Sequence, residues 1–111
     1  MAYDEALAAR IRTLTASEPG LTEKRMFGGL AFLVDGRMAV AASGRGGVMV
    51  RVGADAAADL LASTPAEPVA MRGRPMTGWL RIGAAHVADD PTLATWVARG
   101  VAFARSLPAE E

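Results

Sequence analysis

Two short segments of the sequence bring together cationic side chains, large apolar side chains and glycines. The first is Lys24-Arg25-Met26-Phe27-Gly28-Gly29, and the second is Arg74-Pro75-Met76-Thr77-Gly78-Trp79, which follows Arg72. Arginine presents a planar fork of donors that suits carboxylates and phosphates, and glycine lets another backbone approach closely. We therefore expect these segments to bind a partner. The candidate partner-binding residues are Lys24, Arg25, Phe27, Arg72, Arg74 and Trp79.

These features also have a purely structural interpretation. Two cations before a diglycine are typical of a charged edge strand that ends in a bulge. Arg72 and Arg74 share a Gly-Pro bend, and Arg81 follows Trp79 on the same side of a strand. The three arginines are therefore candidates for an anion site, and a solvated charged face is the structural alternative.

Catalytic and metal chemistry have few residues to use in this chain. Zinc and iron sites need three or four His, Cys or carboxylate ligands, and the sequence has one His and no Cys. His86 precedes Asp89-Asp90 and is expected to face solvent, and no serine lies in a Gly-x-Ser-x-Gly motif. The sequence thus predicts no catalytic residue, no metal and no cofactor, and a protein that is not an enzyme.

The charge distribution bears on the class of partner. Twelve cations balance twelve anions, which argues against strong binding of nucleic acid by the chain alone. Residues 24–81 nevertheless hold eight cations and four anions. Two alternatives therefore stay open. One is a nucleic-acid-binding domain, and the other is a small-ligand or anion-binding protein, enzymes included, with a pocket lined by Arg72, Arg74 and Trp79.

Length and composition predict a single domain over residues 1–111. The apolar fraction of 51% is enough for one core, and the absence of cysteine fits a reducing compartment. The N-terminus is acidic and lacks the apolar stretch of a signal peptide, and the apolar run 28–34 is far short of the roughly 20 residues that span a bilayer. We expect a cytoplasmic protein that makes no membrane contact.

Hydrophobic periodicity and capping residues predict three helices. Leu7, Ile11 and Leu14 recur at i, i+4 and i+7 and indicate a first helix that ends at Pro19-Gly20. The alanine-rich stretch 54–63 predicts a second helix. Asp90-Pro91 is typical of an N-cap followed by proline at the first helical position. One apolar face of this last helix comprises Leu93, Val97, Gly100, Ala104 and Leu107, with Trp96 and Phe103 beside it.

Strand signals occupy the rest of the chain. Asp35-Gly36 lies between two apolar runs and predicts a hairpin. The expected strands are 29–34, 38–42, 48–52, 69–71 and 78–82. The order α, three or four β, α, two β, α lacks the alternation that produces a parallel sheet. It predicts a two-layer α+β fold with an antiparallel sheet and helices on one face.

Five internal methionines fall in or beside the expected strands. They are Met26, Met38, Met49, Met71 and Met76. The simpler interpretation makes them gap-filling core residues beneath the alanine-rich helices. The alternative is an adaptable binding face on the open side of the sheet.

The segment from Lys24 to Gly29, together with Gly78-Trp79, resembles the N-terminal domain of the TfoX/Sxy family of competence regulators, with similarity from Tyr3 to Leu107. The resemblance implies a secretion-chaperone-like α+β fold. Full-length members add a C-terminal helical domain and act with a cyclic-AMP-responsive transcription factor. This chain ends at Glu111, so the resemblance predicts a stand-alone N-terminal domain.

The resemblance also bears on function and partners. It implies a small, cytoplasmic, non-enzymatic domain that acts in competence regulation or in another form of transcriptional regulation through protein–protein interaction. The implied partner is a protein, with a transcription regulator as one candidate, and homodimerisation stays open.

Overall fold

Local sequence signals predict most elements of the fold. The computed structural model of the protein describes residues 3–26 and 28–107. Three α-helices and six strands occur in this described part of the chain. Their bounds are α1 (Glu5–Leu14), β1 (Leu21–Met26), β2 (Gly29–Val34), β3 (Arg37–Ala42), β4 (Val48–Arg51), α2 (Ala54–Ser63), β5 (Glu67–Met71), β6 (Arg74–Ile82) and α3 (Asp90–Ser106), with a 3-10 helix (Ala84–Val87) before α3. The predicted α+β class is confirmed, with four strands before α2 and two after it.

The strands form one antiparallel sheet in the order β1-β2-β3-β4-β6-β5. Asp35 and Gly36 connect β2 to β3 with φ values of 52° and 83°, which is the left-handed backbone that a tight Asp-Gly hairpin requires. Arg72 and Gly73 connect β5 to β6 in the same way, with φ values of 52° and 78°. Strand β6 pairs with β4, so β1 and β5 are the two edges of the sheet.

The helices cover one side of the sheet, which we call the helix face. Alternate residues of a strand point to the same side, so this face takes one residue in two from each strand. Its largest fully buried strand side chains are Phe32, Val34, Val40, Val48, Val50, Leu80 and Ile82. Leu93, Trp96 and Val97 of α3 and Leu7 and Ile11 of α1 pack against them. The expected burial of Trp96 is confirmed, because only 3% of it is exposed.

Helix α1 ends earlier than predicted, at Leu14 instead of Pro19-Gly20. Leu14 is 36% exposed, so its expected place on the buried face was wrong. Thr15 is buried instead, and its hydroxyl donates to the carbonyl oxygen of Ile11 at 2.9 Å. Thr15 follows the last helical residue, so the 3.6-residue period no longer decides which way its side chain points.

The N-cap of α3 is Asp89, one residue before the predicted Asp90. The Asp89 carboxylate accepts hydrogen bonds from the Thr92 hydroxyl at 2.7 Å and from the Thr92 N–H at 3.0 Å. Asp90 is the first helical residue, followed by Pro91. The hydrogen bonds from the Thr92 hydroxyl and then from its backbone N–H hold the pKa of Asp89 below its ordinary value.

This capping carboxylate makes stability depend on pH. Because the pKa of Asp89 is lower in the folded chain, its stabilising contribution is present above the unfolded pKa, near 3.9, and is lost as the pH falls through the folded value. Asparagine caps a helix about as well and does not titrate. We expect Asp89→Asn to flatten the fall of stability in acid, measured by urea unfolding across that pH range. An unchanged dependence on pH would contradict this.

The two glycines between β1 and β2 are required for different reasons. Gly28 has a φ of 74°, and a Cβ atom added there would meet nothing within 4 Å. Gly29 has ordinary backbone, but its Cβ would overlap the carbonyl oxygen of Ala42 in β3. The first glycine therefore serves the turn, and the second lets two backbones approach. Both roles are structural. The bulge that the edge-strand interpretation predicted here does not form, because Met26 pairs directly with Gly29 and leaves Gly28 in the turn.

Asparagine substitutions separate these two roles. We expect Gly28→Ala to cost about 1–2 kcal/mol, because alanine disfavours left-handed backbone, and Gly28→Asn to recover most of that loss. At Gly29 the obstacle is space, so Gly29→Asn should destabilise at least as much as Gly29→Ala. Thermal and urea unfolding of the four variants measures this. Recovery by asparagine at Gly29 would contradict the steric argument.

Candidate protein-interaction face

The side of the sheet opposite the helices, which we call the open face, carries a second apolar cluster. Its buried members are Ala31, Ala41, Met49 and Val69, and the half-buried Met26, Leu33, Met38, Met76 and Trp79 pack against them. Within residues 3–26 and 28–107, no helical residue belongs to this cluster. Four of the methionines thus lie on the open side, and their expected position beneath the helices was wrong. The fifth, Met71, lies in β5.

One row of cross-strand partners spans all six strands on the open face. It runs Lys24, Ala31, Ala41, Met49, Arg81 and Glu67. The two alanines are 0% and 4% exposed and form a floor between longer side chains. The row therefore has an apolar middle with charged residues at both ends.

The middle strands are apolar on both faces. In β2, Leu30 and Phe32 belong to the helix-face core, whereas Ala31 and Leu33 belong to the open-face cluster. An antiparallel strand with one solvent-exposed face normally alternates apolar and polar residues. The sequence of β2 is therefore that of a strand covered on both sides.

A groove of about 570 Å3, which we call groove A, crosses the open face. Its apolar lining includes Met26, Leu33, Met38, Met76 and Trp79, and its cations are Lys24, Arg37 and Arg51. The groove is lined by residues of β1, β2, β3, β4 and β6. The β2–β3 register shifts between Phe32 and Leu33, an irregularity of the kind that bends strands.

A second groove of about 420 Å3, groove B, adjoins groove A. Its lining includes Ser43, Arg45, Met49, Glu67, Val69 and Arg81. The grooves meet on the β4–β6 pair, where Met49 is opposite Arg81 and Arg51 is opposite Trp79. Two residues along a strand cover about 7 Å, so the grooves form one continuous surface.

Arg81 anchors the loop between β3 and β4. Its guanidinium donates to the carbonyl oxygens of Arg45 and Gly46 at 2.9 and 3.0 Å. Its Nε is buried and has no hydrogen-bond partner among the described residues. Arg74 lies seven residues earlier in the same strand, about 23 Å away in an extended chain. The anion site predicted from Arg72, Arg74 and Arg81 therefore does not form.

The structure brings two of the six predicted partner-binding residues together. Lys24 and Trp79 both line groove A. Arg25 follows Lys24 in an exposed edge strand, so its side chain points away from the open face. Arg72 and Arg74 are exposed at the β5–β6 turn, beside the edge opposite β1. Phe27 lies outside the described residues.

Groove A differs from the predicted small-ligand pocket. It contains Trp79 without Arg72 or Arg74, and Leu33, Met38 and Arg51 take part in it instead. The sequence did not point to Leu33 or Arg51, and it pointed to Met38 only through the alternative that places the methionines on an open binding face. A usable signal was present, because the hairpin at Asp35-Gly36 places Leu33 opposite Met38 in two strands that are apolar on both faces.

Four ion pairs between described residues lie away from the open face. They are Arg10–Asp90 at 2.9 Å, Arg12–Glu23 at 2.6 Å, Arg105–Glu18 at 2.8 Å and Arg105–Asp35 at 3.8 Å. The hydrogen bond from Arg12 holds the pKa of Glu23 below its usual value. By contrast, Lys24, Arg45, Arg51 and Arg81 form no ion pair with any carboxylate that the structure describes.

Arg51 has a different kind of contact. Its guanidinium carbon lies 5.4 Å from the centroid of the Phe103 ring, which holds the side chain beside groove A and leaves its charge in place. The lining of the two grooves therefore combines five cations with one carboxylate, that of Glu67. The open face is apolar at its centre and cationic at its rim.

Metal binding and membrane insertion each need particular features in the described part of the chain. No three His, Cys, Asp or Glu side chains within it are placed to hold a metal ion. His86 is exposed in the 3-10 helix, as its sequence position predicted. No helix among residues 3–26 and 28–107 has the length and hydropathy needed to cross a membrane.

Comparison with known proteins places this fold in a family. The family model of the TfoX N-terminal domain matches residues 13–104, a segment that begins in α1, includes the whole sheet and ends in α3. A search of curated proteins finds no match for the chain. The match covers most of the 111 residues and confirms the resemblance seen in the Lys24–Gly29 and Gly78-Trp79 segments. The chain belongs to the TfoX N-terminal domain family.

Proposed function

We propose that this domain is a non-enzymatic regulatory module that binds a partner protein through its open face. The observation that carries the proposal is the open-face cluster, which includes four methionines and Trp79 and to which no described helical residue belongs. A sheet face this apolar normally packs against another layer, and methionine adapts its shape to varied partners. Membership of a family that includes competence regulators favours a transcription regulator as the partner.

The enzymatic alternative has less support from the grooves. Ser43 lines groove B, but its Oγ accepts a hydrogen bond from the Arg45 N–H at 3.1 Å. His86 is the only histidine of the sequence, and it lines neither groove. No nucleophile is therefore paired with a histidine base at the open face.

Partner capture from the native cell tests the proposed surface. We expect Trp79→Ala with Met76→Ala to weaken capture of the protein that copurifies with the wild type by at least about tenfold, because apolar anchors in grooves dominate binding energy. The matched control is Arg72→Ala with Arg74→Ala, which changes two residues at the tip of the adjacent turn. Quantitative mass spectrometry of cross-linked complexes measures the ratio, and thermal melts show that both variants fold.

The control also tests the sequence-based prediction that Arg72 and Arg74 anchor the partner. If the arginine variant loses the partner and the Trp79 variant retains it, the binding surface is the β5–β6 turn and the open-face proposal fails. Equal capture by all three proteins would exclude both surfaces.

Nucleic-acid binding is a second candidate, favoured by the cations of the open face. The net charge of zero argues against it, because affinity for duplex DNA depends on how many phosphates the protein neutralises. We expect only weak binding of a duplex at physiological salt, measured by fluorescence anisotropy over a salt series. Tight, sequence-selective binding by the isolated chain would replace the protein-interaction proposal.

A further inference from the structure

We infer that the segment bound on the open face is an acidic amphipathic helix, with an apolar stripe that fills groove A and carboxylates that face the cationic rim. This inference rests on the proposed function and specifies the chemistry of the partner. Three observations carry it: the charge of the rim, the shape of the surface and the apolar floor.

Charge complementarity selects an acidic partner. Lys24, Arg37, Arg45, Arg51 and Arg81 line the two grooves, with Glu67 as the one carboxylate of their lining. On the helix side, by contrast, Arg10, Arg12 and Arg105 are already paired with carboxylates. Apart from Arg37, these cations form no ion pair with a described carboxylate, and a partner with carboxylates beside its apolar stripe would neutralise their charge.

The shape of the surface selects a helix. Residues 3–26 and 28–107 provide no second layer on this side of the sheet, and its floor of Ala31 and Ala41 lies below longer side chains. A helix packs on a sheet through an apolar stripe of residues at i, i+3, i+4 and i+7. Grooves A and B adjoin along β4 and β6, so a helix laid across them reaches Trp79 and Arg81 together.

A second copy of the chain and a membrane fit less well. Two open faces brought together would oppose the same cations, and like charges across an interface are costly. A membrane takes up apolar side chains that protrude, whereas Ala31 is 0% and Met49 only 7% exposed. Both occupants remain distinct outcomes of the test below.

The test uses the full chain and a synthetic peptide of about 18 residues, long enough to cross the sheet as a helix of about 27 Å. Leucines form the stripe and glutamates flank it, and in the control peptide every glutamate is glutamine. We expect the glutamate peptide to bind at least about tenfold more tightly in calorimetry at low salt, with the difference shrinking in 0.5 M NaCl.

Adjacent positions of β1 provide a matched pair of variants. Lys24 faces groove A, and Arg25 points away from it on the same exposed strand. We expect Lys24→Glu to weaken binding of the glutamate peptide about three- to tenfold and Arg25→Glu to change it less than twofold. Because both substitutions change the net charge equally, equal losses would indicate non-specific attraction and would overturn the inference.

The remaining outcomes of the experiment also test the inference. Equal affinity for the two peptides overturns the acidic partner. If the protein binds anionic lipid vesicles more strongly than the glutamate peptide, the occupant of the open face is a membrane. If sedimentation shows self-association that blocks the peptide, the occupant is a second copy of the chain. If the peptide fails to bind while the Trp79 and Met76 double variant still loses the native partner, this inference fails and the proposed function stands. If that variant retains the partner, both fail.

Discussion

Trp96→Ala is expected to lower the free energy of unfolding by about 3–5 kcal/mol, which is a large share of the stability of a domain this size. The indole is 3% exposed and packs among helix-face residues, and the guanidinium carbon of Arg99 lies 4.6 Å from its ring centroid. Truncation leaves a cavity that rigid strands cannot fill. Urea unfolding and thermal melts measure the loss, and we expect a fall in Tm of more than about 12 °C.

The second tryptophan is the matched control. Trp79 is half-buried on the open face, where groove A already admits solvent. We expect Trp79→Ala to cost about 1–2 kcal/mol, clearly less than Trp96→Ala. The same substitution thus separates a residue that maintains the core from one that we assign to binding. Equal destabilisation by the two variants would contradict this division of the sheet into two faces.

Gly100→Leu is expected to have a comparably large effect, about 3 kcal/mol or more, through overpacking. Gly100 is buried where α3 crosses β3, and a Cβ atom there would overlap the Ala39 carbonyl oxygen and lie 3.2 Å from Val50 Cγ1. Leucine favours helix over glycine by less than about 1 kcal/mol, so helix propensity cannot offset the clash. The helix would have to move away from the sheet.

Ala102→Leu tests whether this effect depends on position. Ala102 is two residues further along α3 and exposed, so a leucine there has room. We expect a change within about 0.5 kcal/mol, measured by the same unfolding experiments. A large loss at Ala102, or a neutral Gly100→Leu, would show that the packing of α3 on β3 does not limit the size of residue 100.

Local signals were sufficient for much of the fold. The alanine-rich stretch predicted a helix over residues 54–63, and α2 has these same ends. Asp35-Gly36 predicted the β2–β3 hairpin. Both depend on neighbours a few residues apart. Strand β1 was harder to predict from the sequence. Four of its six residues are exposed, so the strand lacks the alternation of apolar and polar residues that identifies a half-buried strand.

The candidate site was predictable only in part. Lys24 and Trp79 were chosen for their chemistry and lie together in groove A, whereas Arg72 and Arg74 were chosen for the same reason and lie beside the other edge of the sheet. Residue type cannot distinguish these cases. The distance between two strand residues depends on the order of strands, and β6 pairs with β4 while β5 occupies the edge.

The sequence by itself determined the α+β class, the elements with strong local signals, the family and the residue types available for binding. Only the tertiary structure decided which side of the sheet the helices cover, and with it the position of the methionines. The physical reason is that strand alternation shows which residues share a face, but β2 is apolar on both faces and so does not indicate which one is covered. That choice depends on where α1 and α3 pack, which is a property of the whole chain.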